Sequence, residues 1–312
     1  MTALLKDPVR GFLTPLVRAY VRYAPFVAGK RLFWTRVVSP LFAWRPHKFV
    51  ASTVFGSQLA GDTIDMLQQY IYFFGVWEPD LTRWIARRLA PGDTFIDVGA
   101  NIGYYSLLAS TLVGDCGRVV AIEASPKTFR ALQGNLARNF VKNVRAINVA
   151  ASDWKGTRKL FRGHVYNTGL TTVLEEQGYE FECEVDAAPL SIVIRPEEMQ
   201  NARLIKIDVE GAELSVVAGM VPLLSSGRGD LEIIVELHPE HLAQQGKRPG
   251  DLLRTFSDAG FHAYILENDY SPLRYVSRRI EKPARIRTSS LSCPLKIGTL
   301  LVFSRKDSEF LE

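Results

Sequence analysis

Short apolar runs alternate with longer amphipathic stretches from residue 94 onward. Runs rich in β-branched residues predict seven strands, at 95–98, 119–123, 146–150, 204–209, 232–237, 261–266 and 300–303. Apolar positions at helical spacing predict helices between them, at 104–113, 126–139, 211–221 and 249–259. Because strands and helices alternate, the pattern predicts an α/β fold with an open, mostly parallel sheet and helices on both faces.

The pattern before residue 94 is different. Apolar residues at helical spacing over 9–21, with arginines on another face, predict an amphipathic basic helix bent at Pro15. Residues 48–67 predict a short hairpin, and the aromatic run 70–74 predicts buried core. We therefore expect a helical and hairpin extension over 1–74, a main domain over 75–305 and a tail over 306–312.

The charge of the chain is concentrated near its start. Residues 1–50 carry nine Lys or Arg and one acid, Asp7, whereas the other residues carry 29 bases and 32 acids, for a net charge of +5. The slightly acidic remainder argues against a nucleic-acid partner. The basic helix is expected to pack on the domain, and contact of residues 1–50 with an anionic membrane surface is the alternative.

Three dispersed cysteines argue against a disulfide framework and a structural zinc site, and they favour a reducing compartment. Charges interrupt every apolar run before it reaches the ~20 residues that span a bilayer. Arginines also interrupt the apolar core that a secretory signal needs. We therefore expect a cytoplasmic protein, with peripheral contact to the inner face of the membrane as the alternative.

The strongest local signal is a strand, a glycine-containing turn and a helix. Asp97 lies near the tip of the strand, and Gly99 and Gly103 lie in the turn. Such a turn presents backbone amides at a helix N-terminus, which bind polar or anionic ligand groups. The dinucleotide pattern Gly-x-Gly-x-x-Gly is incomplete, because Asn101 and Tyr104 replace its second and third glycines. A nicotinamide dinucleotide and S-adenosylmethionine therefore compete as cofactors, and the phosphate-free S-adenosylmethionine fits more easily.

Polar residues also follow the next two predicted strands. Glu123 ends the second strand, 20 residues after Gly103, where a carboxylate accepts hydrogen bonds from both ribose hydroxyls. Ser152 and Asp153 follow the third strand, where they would contact adenine or, alternatively, cap a turn.

Acids and histidines follow the fourth and fifth predicted strands. Asp208, Glu210 and Glu213 lie within six residues, and their mutual repulsion favours a nearby cation or a role in proton transfer. Glu213 also suits the first turn of a helix. His238 is a candidate general base titrating near neutrality, or a loop histidine bonded to backbone. Its spacing to His241 matches no metal-binding motif, so no metal is expected.

Six segments together resemble the FkbM family of S-adenosylmethionine-dependent methyltransferases. They are Gly-Val-Trp-Glu-Pro at 75–79, Phe-Ile-Asp-Val-Gly-Ala-Asn-Ile-Gly-Tyr-Tyr-Ser at 95–106, Val-Ala-Ile-Glu-Ala-Ser-Pro at 120–126, Ala-Ala-Ser-Asp at 150–153, Ile-Lys-Ile-Asp-Val-Glu-Gly-Ala-Glu at 205–213, and Glu-Leu-His at 236–238. The resemblance implies a Rossmann-like class I methyltransferase fold with seven strands, the last of them antiparallel. The chain departs from the family at one point, in a loop on the substrate side. The family has a Leu-Asp pair there, whereas this chain has Val-Asp-Ala-Ala-Pro-Leu at 185–190.

The resemblance also implies the site residues. The methionine end of S-adenosylmethionine would lie at the turn, its ribose at Glu123 and its adenine near Ser152 and Asp153. The expected cofactor-binding residues are Glu78, Asp97, Gly99, Ala100, Asn101, Gly103, Glu123, Ser152, Asp153 and Asp208. The expected catalytic residues, near the transferred methyl group, are His238, Asp208 and Glu210.

The sequence as a whole predicts a methyltransferase that methylates a hydroxyl of a sugar, a glycolipid or a secondary metabolite. Its partner would be that small-molecule or glycan acceptor. Two alternatives remain open, a nicotinamide-dependent oxidoreductase and a membrane-associated binding protein with a degenerate cofactor site.

Overall fold

The computed structural model describes residues 7–23, 29–38, 47–163, 171–175, 179–276, 281–286 and 299–311. Its strands are β1 (Lys48–Ser52), β2 (Gln58–Asp62), β3 (Thr94–Val98), β4 (Arg118–Ile122), β5 (Val144–Ile147), β6 (Ala150–Ser152), β7 (Gly156–Arg162), β8 (Thr171–Thr172), β9 (Glu180–Pro189), β10 (Ala202–Ile207), β11 (Glu232–Leu237), β12 (His262–Leu266), β13 (Ala284–Arg285) and β14 (Thr299–Ser304).

The α-helices are α1 (Asp7–Tyr23), α2 (Lys30–Phe33), α3 (Met66–Phe74), α4 (Pro79–Arg88), α5 (Tyr104–Val113), α6 (Pro126–Arg138), α7 (Leu190–Val193), α8 (Pro196–Gln200), α9 (Glu213–Met220), α10 (Pro239–Gln244), α11 (Pro249–Asp258) and α12 (Pro272–Val276). A π-helical turn over Trp34–Val38 follows α2, and a 3-10 turn over Val221–Leu223 follows α9.

The central sheet has the strand order β13-β12-β14-β11-β10-β3-β4-β5. Strands β5, β4, β3, β10 and β11 are parallel neighbours, and β14 runs antiparallel between β11 and β12. This confirms the α/β fold and the antiparallel last strand. The two-residue strand β13 extends the edge beyond the seven strands that were expected.

A second sheet of four strands, in the order β6-β9-β7-β8, was not predicted. The predicted strand at 146–150 is in fact two strands, since β5 belongs to the central sheet and β6 to the second one. Asn148 lies between them, and its side-chain amide donates to the carbonyl oxygens of Glu123 and Ala124. Strand β7 carries few apolar residues, whereas apolar and acidic residues alternate along most of β9. The two strands form a long antiparallel pair.

The hairpin expected near residue 50 is present as β1 paired antiparallel with β2. It is fastened to α6, because the Asn135 side-chain oxygen accepts from the Ala60 amide at 2.8 Å. Helix α3 begins at the capping side chain of Asp65, which accepts from the Gln68 amide. The aromatic run within α3 is buried, as the sequence predicts.

Helix α1 packs against α3 through Val17 and Val21, which are both buried. Arg18 donates to the carbonyl oxygen of Tyr72, and Arg22 donates to carbonyl oxygens at the C-terminal end of α3. Within the described residues, no helix is long and apolar enough to span a membrane. Contact of residues 1–50 with a membrane surface stays a prediction, and 1–6, 24–28 and 39–46 lie outside the described residues.

Apolar cores cover both faces of the central sheet. Phe95 of β3 joins the core that contains α3, α4 and α5, whereas Ile96 and Val98 join the core that contains α9 and α11. The first core also includes Val17 of α1, so the N-terminal segment and the sheet share buried apolar surface. The division into 1–74, 75–305 and 306–312 stays a prediction.

Candidate functional site

A cleft of about 400 Å³ lies at the carboxyl ends of β3, β4, β10 and β11. Strands β4 and β5 lie on one side of β3, and the later strands β10 and β11 lie on its other side. Open α/β sheets bind their ligands at such a point, where the strand order reverses. The second sheet contributes to the lining as well. Residues that line the cleft include Trp77, Gly99, Asn101, Glu123, Leu160, Tyr179, Asp208, Glu210, Glu236, His238, His241 and Tyr270.

The turn after β3 brings two strand ends into contact. Gly99 has a φ of +80°, and a Cβ added to it would lie 1.8 Å from the carbonyl oxygen of Asp208. The Asp208 amide donates to the carbonyl oxygen of Val98 at 2.9 Å. The amides of Gly99 and Ala100 both donate to the Ile122 carbonyl oxygen, so the turn is anchored on β4. Only glycine suits this position, because of both its backbone angle and its neighbour.

Glu123 is buried and joins the turn after β3 to the start of α6. One carboxylate oxygen accepts from the Asn101 amide and the other from the Ser125 amide, both at 2.9 Å. Burial raises the pKa of Glu123 to about 7, although these two amides oppose the shift. The carboxylate keeps further lone pairs for a ligand hydroxyl in the cleft.

Lys206 is a buried lysine that lies close to acids in β3 and just after β10. The Lys206 ammonium lies 2.8 Å from Asp208 Oδ2, and its side chain is almost fully buried. Burial alone would lower the pKa of Lys206, but Asp208 and Asp97 raise it above its ordinary value. Asp97 accepts from the Ser106 hydroxyl at 2.6 Å, and burial raises the pKa of its carboxyl. Lys206 therefore balances the charge of two carboxylates.

Glu78 forms a hydrogen-bonded cluster with residues from distant parts of the chain. Its carboxylate accepts from the Tyr105 hydroxyl at 2.6 Å, from the Asn268 amide and from the Tyr270 hydroxyl at 2.9 Å. Tyr270 also lies 3.0 Å from Glu236 Oε1 and stacks on Trp77. Burial raises the pKa of Glu78. These contacts fix the Tyr270 ring in the wall of the cleft.

His238 lies among three carboxylates. Its Nδ1 is 3.3 Å from Glu213 Oε1, and its Nε2 is 3.5 Å from Glu210 Oε2 and 3.8 Å from Glu236 Oε1. Burial would lower the pKa of His238, but the carboxylates outweigh it and raise the value to about 10. The near-neutral titration expected from the sequence is therefore wrong, because that expectation did not place Glu213 and Glu236 beside the ring.

Glu210 is the acid with the least hydrogen bonding in this group. Its Oε2 has no hydrogen-bond partner among the described residues. Burial raises the pKa of Glu210 to about 7, and His238 opposes that shift. The Thr172 hydroxyl of β8 donates to the Glu210 carbonyl oxygen at 2.7 Å, which connects the second sheet to this end of the cleft.

The structure brings part of the predicted set together in the cleft. Gly99, Asn101, Glu123, Asp208, Glu210 and His238 line it. Glu78, Asp97, Ala100 and Gly103 are not among the lining residues, and they support the turn or the polar cluster instead.

Ser152 and Asp153 are also absent from the lining. The Ser152 hydroxyl contacts the side chains of Ser215 and Arg158, and the Ser215 hydroxyl donates to Asp153. Residues 149–151, just before them, face the cleft in their place. Contact of Ser152 and Asp153 with adenine therefore stays a prediction, and the structure does not place either residue in the lining of the cleft.

Sequence reasoning missed two functional candidates, Lys206 and Tyr270. Lys206 had a usable signal, because it is a charged residue between the apolar residues Ile205 and Ile207 of a predicted strand. Tyr270 had none, since it lies outside the regular elements and reaches the site only through the fold.

The lining of the cleft is acidic. Its ionisable residues are Asp65, Glu123, Asp208, Glu210, Glu236, two histidines and two tyrosines, and no Lys or Arg is among the described lining residues. Such a surface attracts cations and repels phosphates.

The family model of the methyltransferase FkbM domain matches residues 97–263, which is more than half of the chain. The chain belongs to the FkbM methyltransferase family. The match begins at Asp97 in β3 and includes the residues after β4, β10 and β11 that line the cleft.

Curated relatives and solved structures are also similar to this FkbM-family chain. The 31-O-demethyl-FK506 methyltransferase FkbM of Streptomyces tacrolimicus is 33% identical, over 42% of this chain and 61% of the relative, so the chain spans about three fifths of that protein. The hexuronic acid methyltransferase AglP of Haloferax volcanii is 27% identical, over 58% and 69%. An S-adenosylmethionine-dependent O-methyltransferase from Thermotoga maritima aligns at 12% identity and a TM-score of 0.42, over 83% of this chain and 78% of that structure.

Proposed function

We propose that the protein is an S-adenosylmethionine-dependent O-methyltransferase. The observation that carries this proposal is the acid-lined cleft at the carboxyl ends of the strands, whose described lining has no Lys or Arg. S-adenosylmethionine carries a sulfonium and an ammonium and has no phosphate, so its charge complements such a cleft. A nicotinamide dinucleotide would bring a pyrophosphate to the same carboxylates. The charge of the cleft therefore favours the methyl donor over the dinucleotide.

The residues of the cleft suggest how the cofactor lies. Gly99 and Asn101 would face its methionine end, and Glu123 would accept hydrogen bonds from the ribose hydroxyls. We assign the adenine contact to residues 149–151, which are apolar and line the cleft. Glu78, Asp97, Ala100 and Gly103 would act through the shape and charge of the site, without touching the cofactor.

The acceptor would enter where Asp208, Glu210 and His238 meet. These residues follow β10 and β11, on the other side of β3 from Glu123. S-adenosylmethionine, when bound, would supply a methyl group that the acceptor oxygen takes, with the electron pair of the broken carbon–sulfur bond left on sulfur. The hydroxyl proton passes to the Asp208 carboxylate, whose Oδ2 is held by Lys206. The cofactor leaves as a neutral thioether.

A hydroxyl of a sugar, a glycolipid or a secondary metabolite is the acceptor class that we propose. Support comes from the relatives, whose names describe the methylation of 31-O-demethyl-FK506 and of a hexuronic acid. A cleft of about 400 Å³ would hold the cofactor and leave its methyl group accessible to one end of a larger acceptor.

Calorimetric titration of S-adenosylmethionine, with NAD as the control ligand, tests the cofactor. We expect S-adenosylmethionine to bind and NAD not to bind, and Glu123→Ala to weaken binding about 10- to 100-fold through the lost hydrogen bonds to a charged group. Transfer of a labelled methyl group to a panel of sugar and polyketide hydroxyls tests the reaction. Binding of NAD in preference to S-adenosylmethionine would refute the proposal. Normal turnover in Asp208→Asn would refute only the role of Asp208 as the proton acceptor.

A further inference from the structure

Three potential metal ligands from two segments of the chain converge at one end of the cleft. Glu210 follows β10, His238 follows β11, and His241 lies in α10. Glu210 Oε2 is 3.5 Å from His238 Nε2 and 3.9 Å from His241 Nδ1, and one donor atom from each residue lies within 4.8 Å of the others. Ligands about 2.1 Å from one ion are separated by about 3.4 Å in tetrahedral geometry, so this spacing needs only small side-chain movements.

A buried carboxylate orients one of the two imidazoles. Glu213 is fully buried, and its Oε1 lies 3.3 Å from His238 Nδ1. The same oxygen accepts from the Gly211 amide at 3.2 Å, which fixes the carboxylate. A carboxylate on the far nitrogen is the usual support of a metal-bound histidine, because it leaves the other nitrogen free to bind the ion. In this protein that other nitrogen is Nε2, which points at Glu210.

A cation balances the charge of the carboxylates around His238, either as a proton on the His238 ring or as a bound metal ion. Glu210, Glu213 and Glu236 all lie within 4 Å of the His238 ring nitrogens. Lys206, the buried ammonium of the site, is bonded to Asp208. Glu210 Oε2 is enclosed by protein and has no hydrogen-bond partner among the described residues. An enclosed carboxylate oxygen of this kind is costly unless a cation binds it.

We propose that Glu210, His238 and His241 bind one divalent first-row transition-metal ion, of the class of zinc, cobalt or manganese. Two imidazoles and one carboxylate suit these ions, whereas magnesium and calcium prefer oxygen ligands alone. Three protein ligands leave coordination positions for substrate. The assignment deepens the proposed function, on which its catalytic role rests.

The ion would bind the acceptor oxygen beside the transferred methyl group. Coordination lowers the pKa of a bound hydroxyl and holds it in place for attack. The hydroxyl proton passes to Asp208, the metal-bound oxygen forms the bond to the methyl carbon, and sulfur keeps the electrons of the broken bond. No change in the oxidation state of the ion is involved.

The decisive experiment measures metal binding directly, on the full chain without a polyhistidine tag and after treatment with a chelator. Co²⁺ is the probe, because its visible absorption reports coordination by nitrogen and oxygen ligands. We expect one Co²⁺ per chain, displaced by Zn²⁺. Glu210→Gln and His241→Gln should each weaken Co²⁺ binding by more than about 100-fold, and Glu213→Gln by about 10- to 100-fold. His47→Gln, at an exposed histidine outside the cleft, is the matched control and should bind normally.

Two results would overturn the assignment. One is wild-type protein that binds no more Co²⁺ than His241→Gln, and the other is Co²⁺ binding that survives in both Glu210→Gln and His241→Gln. The thermal unfolding of each variant is measured alongside, so that a misfolded variant is not counted. S-adenosylmethionine binding in the presence of chelator separates the two proposals. If the wild-type chain binds the cofactor but not Co²⁺, only the metal site fails. If the wild-type chain binds Co²⁺ but does not bind S-adenosylmethionine, the proposed function is refuted.

Discussion

The backbone of Asp208 occupies the space that a side chain on Gly99 would need. A Cβ at Gly99 would lie 1.8 Å from the Asp208 carbonyl oxygen, well inside van der Waals contact. The two residues end neighbouring parallel strands, β3 and β10, on which the two halves of the cleft are built. The cofactor-facing turn and the candidate catalytic acid are therefore held in direct contact.

Replacement of Gly99 should damage both folding and activity. Gly92→Ala is the matched control, because Gly92 has a φ of +92° and its added Cβ would meet no atom within 4 Å. Backbone strain alone costs about 1–2 kcal/mol, and the clash at Gly99 adds about 1–3 kcal/mol. We expect Gly99→Ala to lose more unfolding free energy in urea than Gly92→Ala and to lose cofactor affinity. Equal losses in the two variants would contradict the steric explanation.

The ionisation of Glu123 should control the affinity for S-adenosylmethionine. Burial raises the pKa of this carboxyl to about 7, so it gains a proton as the pH falls below neutrality and then accepts ribose hydrogen bonds less well. We expect affinity to fall about tenfold between pH 8 and pH 6. The useful measurement is the ratio of the dissociation constants of Glu123→Gln and wild type at each pH, because titration of the cofactor itself cancels. A ratio that is constant with pH would exclude this role.

Removal of the buried ammonium should destabilise the fold. Lys206 lies between Asp97 and Asp208, which together raise its pKa above the ordinary value. Lys206→Met would leave these carboxylates buried without a counter-charge, at a cost of about 3–5 kcal/mol in the free energy of unfolding. Lys127→Met, at an exposed position, controls for the loss of a lysine. Adding Asp208→Asn to Lys206→Met should recover part of the lost unfolding free energy. A loss below about 1 kcal/mol in Lys206→Met alone would show that Lys206 does not balance these carboxylates.

Arg22 should be the main link between α1 and the rest of the protein. Its guanidinium donates to the carbonyl oxygens of Ile71, Tyr72 and Phe73 at the end of α3, where the helix dipole is negative. Arg22→Met should cost about 2–3 kcal/mol in urea unfolding, because these carbonyl groups lose a charged donor. The control is Arg36→Met at an exposed position, which should cost about 0.5 kcal/mol or less. If both variants unfold alike, α1 is not held by this contact.

Most of the regular structure could be predicted from local pattern. The helix at 104–113 and the strand at 232–237 have the predicted bounds, because each is a mostly apolar run that is buried over most of its length. The regular structure of residues 146–162 was harder to predict from the sequence. Strands β5 and β6 are separated by a short break that the continuous apolar pattern does not reveal, and β7 becomes a strand only by pairing with β9.

By itself, the sequence determined the order of strands and helices. It also determined that a turn lies at Gly99 and that Glu123 lies at the end of a strand, because each of these features depends on residues close together in the chain. Only the tertiary structure decided which side chains meet. Glu210, His238 and His241 come together because β10 and β11 are neighbours. Ser152 and Asp153 are not among the lining residues, and their side chains contact Arg158 and Ser215 instead. The pKa of His238 is likewise a tertiary property, since it depends on carboxylates from two strand ends and a helix.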